Sequence, residues 1–385
     1  MALRKTVYLD HAATSFPKPE GVRRAVIEHL EQYSASPGRS AHSLSLAASR
    51  VLFEARETIA AFFHVDDSRK VIFTRNVTES LNLAIYGMVH AGDHVVTTSM
   101  EHNSVMRPLR DLERREIIHV TVVPSSPEGF VDIPEIARVV QATNPKLLVV
   151  NHASNVTGTL ADLRKVSETK GKAYLLVDAA QTAGSFPLHL DTMDVDLLAF
   201  TGHKGLQGPQ GTGGLILKSG REPLRPLVRG GTGSHSEFEE QPDFLPDRLE
   251  SGTPNGCGFA GLAAGITAVE ERGIRAVREH EKELTGVLLD RLLAMDRIHV
   301  LGPRDPDEQT AVISLQVDGM SPSEVGFQLD RKFGICVRTG LHCAPAAHKT
   351  IGTFPQGTVR ISLGMSNSMD DVDAATEALQ WIASR

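Results

Sequence analysis

The stretch DLLAFTGHKGLQGPQGTGGLILK, from Asp196 to Lys218, decides how this 385-residue chain folds. DLLAFTGHK (196–204) and GGLILK (213–218) are apolar runs that read as strands. Between them lie one His-Lys pair and then almost only small residues. A solvated lysine with a flexible loop satisfies that pattern. So does a lysine at a strand end that touches something flat, with phosphate or a cofactor close to the main chain. A lysine desolvated at such a junction loses its proton and becomes a nucleophile toward carbonyl carbon.

Working outward, VIFT (71–74), HVVTTS (94–99), IIHVTVVP (117–124), LLVVNHAS (147–154) and YLLVDAAQ (174–181) read as further strands. Helical patterns at 79–89, 104–115 and 160–170 separate them. Apolar strands without strict alternation, spaced by helices, predict an α/β fold with a mostly parallel sheet covered on both faces. In such sheets ligands gather at the carboxyl ends of the strands. Asn155, Asp178, His203 and Lys204 fall at those ends. From Leu224 to Gly258 the pattern dissolves into a long surface segment. Residues 259–295 read as one or two helices. A strand (310–317), a helix (323–333), strands at 335–338 and 357–362 and a closing helix (370–383) then form a small α+β unit.

The charge balance is 40 basic against 47 acidic residues, net −7, with no basic stripe, so nucleic acid is not expected as a partner. Three cysteines in a chain this long point to a reducing compartment rather than a disulfide framework. The opening MALRKTVYLD is not a secretion signal, and no run reaches membrane-spanning length. A cytoplasmic enzyme that binds neither nucleic acid nor membrane is the expectation.

Several residues carry chemistry beside the lysine. Asp178 ends a hydrophobic strand, where a carboxylate needs a cationic partner or a helix to cap. Gln181 follows it. TRNVTESLN (74–82) joins a strand to a helix, which is a phosphate seat or an ordinary capped helix. His102 in MEHNS either stacks on a ring or is structural. Cys343 in RTGLHCA sits on a shaped loop, with His342 and Arg338 placed to lower its pKa. Cys336 reads as packing and Cys257 as lining a helix start. Zinc at His342, Cys343 and His348 is the rival idea, but C-x-x-C and H-E-x-x-H are absent and no metal is expected. A nicotinamide site at GTGG (211–214) lacks the G-x-G-x-x-G order. A carbonyl-reactive lysine, a partner for a ring nitrogen, a phosphate seat, a stacking group and an acid anchor (Arg360 in TVRIS) are the set that pyridoxal phosphate needs.

The order D-x-x-Q, T-G-H-K, E-S-G-T-P-N, R-T-G-x-H-C-A, V-R-I-S, with YLDHAATS (8–15) and N-x-x-G (155–158), resembles the class V aminotransferase-like cysteine desulfurases. The short R-T-G-x-H-C-A loop is most similar to the SufS-like group and the selenocysteine lyases. The resemblance runs from Tyr8 to the end. It implies a fold type I pyridoxal-phosphate enzyme: a large domain (16–256) with a seven-stranded sheet, a small domain (1–15 and 257–385), and a homodimer with sites at the interface. It implies that Lys204 is the Schiff-base lysine, Asp178 the partner of the pyridine nitrogen and Gln181 the donor to the phenolate oxygen. His102 would stack over the ring. Val77, Thr78, Thr201 and His203 would contact the phosphate, with Gly252 and Thr253 reaching it from the other subunit. Asn155, Arg360 and His11 would bind substrate, and Cys343 would take the sulfur. The implied activity converts L-cysteine to L-alanine and a Cys343 persulfide, passed to an acceptor protein, as in iron–sulfur cluster assembly. The alternatives are a selenocysteine lyase or other family enzyme, and an idle sulfur-relay scaffold. The chain departs from its relatives at Val77, where a hydroxyl is lost, at His11, where many have Asn, and at A-P-A-A-H-K after Cys343.

Overall fold

The computed structural model describes residues 6–38, 42–235 and 237–385. β1 (Val7–Tyr8), α1 (Glu20–Gln32) and α2 (Ser43–Phe62) open the chain. β2 (Val71–Thr74), α3 (Val77–Met88), β3 (His94–Thr98), α4 (Asn103–Arg114), β4 (His119–Val123), α5 (Ile133–Thr143), β5 (Leu147–Asn151), α6 (Leu163–Thr169), β6 (Tyr174–Asp178), β7 (Leu197–Thr201) and β8 (Gly213–Leu217) build the main body. α7 (Gly256–Arg272) and α8 (Ile274–Leu293) lead to β9 (Ile298–Leu301), β10 (Val312–Val317), α9 (Pro322–Gln328), β11 (Ile335–Cys336), β12 (Arg338–Gly340), α10 (Pro345–Thr350), β13 (Thr358–Ser362) and α11 (Met369–Ala383).

The main sheet has seven strands in the order β2-β8-β7-β6-β5-β3-β4. Only β8 runs against the rest. Strands β5, β7 and β8 are buried along their whole length, which requires apolar side chains on both faces. Leu175 and Val177 of β6 pack with Phe63, Phe200 and Ile266 on one face, while Leu176 packs with Leu81, Ile85 and Leu109 on the other. Asn76 starts α3 by accepting a hydrogen bond from the Glu79 amide at 3.1 Å, so the helix begins immediately after β2 ends.

A second core gathers Val7 and Leu9 with α8, β10, β13 and α11. It surrounds a four-stranded sheet, β12-β13-β10-β9. The strand expected at 335–338 is two strands: Ile335–Cys336 pairs in parallel with β1, and Arg338–Gly340 pairs with β13. The helix expected at 323–333 leaves α-helical geometry after Gln328, continues as a wider turn and stops at Gly334, whose φ of 71° ends it. The expected division at 256/257 falls at the start of α7. However, Phe259, Leu262 and Ile266 of α7 pack into the main core, and Leu284, Leu288 and Leu292 of α8 pack into the second. We therefore propose the division at Gly273, between the two helices.

The glycines after Lys204 serve contacts within the protein. A Cβ on Gly205 would stand 2.4 Å from the Ala183 carbonyl oxygen, and one on Gly184 would stand 2.2 Å from the Gly205 carbonyl carbon. The turn bearing Lys204 thus lies directly on the turn after β6. Replacing Gly205 by Ala is expected to destabilise the protein by about 1–3 kcal/mol through overpacking against main chain. Gly286 is the control. It lies inside α8, its Cβ would meet nothing nearer than 3.6 Å, and Gly286→Ala should stabilise by about 0.5–1 kcal/mol. Urea unfolding of the two variants checks both signs.

Candidate active site

The carboxyl ends of the parallel strands meet at one cleft between the two cores. β7 ends at Thr201 and delivers His203 and Lys204, and β6 ends at Asp178. Asn155 lies beyond β5, His102 beyond β3, and Val77 and Thr78 beyond β2. The His203 carbonyl is clamped from the N-terminal segment. It accepts from Ser15 N at 2.9 Å, Lys18 Nζ at 2.9 Å and Thr14 Oγ1 at 3.0 Å. This fixes the peptide on which Lys204 stands. Lys204 lines a small polar cavity with His11, Gln181 and Gln207, and its amine has no hydrogen-bond or ion-pair partner among the described residues. Burial lowers its pKa to about 8; Asp178 pulls it upward, and Arg360 and Arg338 push it further down. The amine therefore has a sizeable neutral fraction near neutral pH.

Asp178 is 5% exposed and accepts a hydrogen bond from the Ala180 amide at 2.9 Å. Burial pushes its carboxyl above the ordinary range, against the pull of that amide and of Lys204. A cation placed against this carboxylate would relieve the cost of burying it. Beside it is an anion cradle. The first amides of α3, at Val77 and Thr78, have no carbonyl of their own helix to bond. The Thr201 Oγ1 and His203 Nδ1 atoms are buried without partners. Gly213 lets this turn sit against β8, since a Cβ there would lie 2.7 Å from Asn76 Cα. The valine at position 77 costs the cradle nothing at its amide. The Thr78 hydroxyl pairs with Ser104 Oγ at 2.7 Å.

His102 caps α4. Its Nδ1 accepts from the Ser104 amide at 3.0 Å, which leaves the proton of the neutral ring on Nε2. Burial, with the charges of Lys204, Arg338, Arg107 and Arg360, lowers its pKa to about 4, so the ring is neutral at physiological pH. Cys343 is exposed and faces the same cleft as His102 and Thr78. Its loop is strained, with His342 and Cys343 both left-handed at φ 48° and 59°. Two bonds hold that shape: Asn103 N donates to the Cys343 carbonyl at 2.8 Å, and Asn155 Nδ2 donates to the His342 carbonyl at 2.7 Å.

Some expected roles change. His342 is no cation for the thiol: burial drives its pKa to about 2 and its Nε2 pairs with Thr358 Oγ1 at 2.9 Å. Arg338 is the cation, its NH2 lying 3.6 Å from Cys343 Sγ. Asn155 spends one of its two Nδ2 hydrogens on the loop, and its Oδ1 is buried without a partner. Gln181 Nε2 reaches the Ala12 carbonyl at 3.3 Å. His11 packs edge-on against Tyr8, with both ring nitrogens buried and unpartnered, and burial lowers its pKa to about 4. Gly252 and Thr253 are exposed, and Thr253 bonds none of these residues.

Residue-by-residue reading of the sequence passes over Asp10, Lys18 and Ser104. Asp10 pairs with Arg360 across 350 positions, with Oδ1 at 2.7 Å from NH2. No local pattern signals that pair. Ser104 carried a signal, since a small polar residue two positions after an N-cap histidine is placed to bond it.

A family model for class V aminotransferases matches residues 7–375. A probable cysteine desulfurase of Methanothermobacter thermautotrophicus is 37% identical, with 99% of this chain and 96% of that protein covered. The cysteine desulfurase of Haloferax volcanii is 30% identical, with 97% and 88% covered. The apo cysteine desulfurase of Thermococcus onnurineus has the same fold, with a TM-score of 0.91 and 31% identity over 99% of this chain and 95% of that one. The Escherichia coli cysteine desulfurase CsdA gives 0.86 and 26%, over 98% and 95%. Matched along nearly its whole length in sequence and in fold, the chain belongs to the class V aminotransferase family.

Proposed function

We propose that the chain is a pyridoxal-phosphate-dependent cysteine desulfurase that converts L-cysteine to L-alanine and carries the sulfur away as a persulfide on Cys343. One observation carries this reading. A desolvated, partnerless lysine amine stands within electrostatic reach of a buried carboxylate, and an exposed cysteine lining a cleft with His102 and Thr78 is pinned by two hydrogen bonds to the carbonyls of its loop. The residues suit the cofactor on their own chemistry. Lys204 would hold its aldehyde carbon, Asp178 its ring nitrogen and Gln181 its phenolate oxygen. The α3 amides, Thr201 and His203 would hold its phosphate, and their unpaired buried atoms are supplied with an acceptor by that phosphate.

Bound there, the cofactor supplies an electron sink that makes the substrate's Cα–H acidic and its C–S bond labile. The chain does the rest. The Lys204 amine, whose pKa burial brings down to about 8, takes the Cα proton in its neutral form. The Asp178 carboxylate keeps a proton on the ring nitrogen. The neutral His102 ring would offer a flat stacking partner to the cofactor ring. Arg360 receives the substrate carboxylate and fixes which Cα bond is broken. Arg338 places its guanidinium 3.6 Å from Cys343 Sγ, the atom that would meet the substrate sulfur.

The partners follow from the same reading. Gly252 and Thr253 are free to reach a second subunit's phosphate, and Ile27, Leu30, Leu44, Leu46 and Phe53 expose apolar surface on α1 and α2 that suits a homodimer. The exposed thiol suits an acceptor protein. No helix among the described residues is long and apolar enough to cross a membrane.

Three outcomes test the proposal. Cys343→Ala should keep the yellow cofactor band but lose sulfide release from L-cysteine to background; retained release would oppose the persulfide role. Lys204→Ala should lose alanine formation by about two to four orders of magnitude, the usual weight of a positioned acid–base group. Covalent uptake of pyridoxal phosphate by cofactor-free protein needs the neutral amine, so its rate should rise with pH. The half-maximum, followed by absorbance, should fall near pH 8, where burial has brought Lys204. A midpoint near the ordinary lysine value would refute the desolvated amine.

A further inference from the structure

The arginine assigned to the substrate carboxylate already holds a carboxylate of the chain itself. Arg360 is 1% exposed, and its NH2 donates to Asp10 Oδ1 at 2.7 Å while its NH1 donates to the Asn155 carbonyl at 3.0 Å. Its Nε is buried with no partner. Asp10 is brought there by backbone pairing. Ser362 N donates to the Leu9 carbonyl at 2.8 Å, and residue 10 bridges residue 362 in parallel beside β13. The Asp10 side chain keeps 21% of its surface open, so it lines the route to the guanidinium rather than lying behind it.

The charges explain why it is there. Arg338 and Arg360 both stand close enough to Lys204 to lower its pKa, and Arg338 stands close enough to Arg360 to do the same there. Asp178 answers Lys204. Without Asp10 the Arg360 guanidinium would be a sealed cation with only a peptide carbonyl beside it, an arrangement proteins avoid. A substrate carboxylate arriving at Arg360 meets a site already neutralised. It must either share the guanidinium with Asp10, with like charges facing each other, or displace it.

We propose that Asp10 is a built-in stand-in for the substrate carboxylate: it holds Arg360 between turnovers and competes with α-carboxylate ligands for it. This rests on the reading of Arg360 as the substrate anchor. It makes Asp10 a specificity-determining residue. Simple carboxylates bind too weakly to displace it, whereas an amino acid also gains its amine contact at the cofactor.

The test is binding of propionate and of L-alanine to the purified holoenzyme by calorimetry, with L-alaninamide as the uncharged control. Asp10→Asn keeps an acceptor for Arg360 but removes the charge. It should bind propionate and L-alanine about tenfold more tightly, within the range of single charge-pair effects, and alaninamide unchanged. Asp10→Glu should restore weak binding. Asp10→Ser carries the test if the Asn variant does not fold, as judged by thermal melting. Arg360→Gln should abolish propionate binding in either background. Equal or weaker propionate binding by folded Asp10→Asn or Asp10→Ser, with loss in Arg360→Gln, overturns the role of Asp10 alone. Undiminished propionate and L-alanine binding in Arg360→Gln overturns the anchor and this proposal with it.

Discussion

The contact on which the site depends is between two stretches of main chain, Gly205 lying on Ala183 and Gly184. No side chain fits between them. That contact brings the turn after β7 onto the turn after β6, so that Lys204 and Asp178 face one space. The His203 carbonyl is then locked from the other side by Ser15, Thr14 and Lys18. A long, flexible lysine becomes a reagent only when its root is immobile and its amine has lost its water. Both conditions come from packing rather than from the lysine.

The electrostatics follow from the same crowding. Burial alone pushes Lys204, His102 and His342 toward their neutral forms and Asp178 toward its acid form. Pairing decides which charges survive. Arg360 keeps its charge beside Asp10, and Arg338 keeps its place beside the Cys343 thiol. His342 is held in a hydroxyl network with Thr358 and Ser314, which makes it a support for the loop. The nucleophile therefore has an arginine beside it, while the histidine that precedes it in the chain is neutral.

The Cys343 loop shows how strain is kept. Two consecutive left-handed residues other than glycine are unfavourable in an isolated chain. They persist because Asn103 and Asn155 bond the two carbonyls that such a turn presents. Asn155 stands in the turn that follows β5 and Asn103 in the first turn of α4, so the rigid body of the protein sets the position of the thiol. The substitutions that follow Cys343 in this chain lead into α10, where Ala344 just before the helix and Ala347 within it pack with Met100 and Val156. They alter the underside of the loop and leave the two clamps in place.

The sequence by itself determined the parallel sheet, because strands buried on both faces must be apolar throughout and that pattern is visible in a single chain. It also put Lys204, Asp178, Thr201 and His102 at or just beyond strand ends, since a strand end is a local event. It did not reveal the two-sheet split at 335–340, where one residue separates pairing with β1 from pairing with β13. Nor did it reveal which helix belongs to which core, for both α7 and α8 carry an apolar stripe and only packing decides what each stripe meets. Tertiary structure alone decided that Asn155 braces a loop, that His342 is neutral and that Asp10 answers Arg360. Each of those roles is a contact between segments more than a dozen positions apart, and a hydrogen bond or an ion pair is made by distance in space, which residue order does not encode.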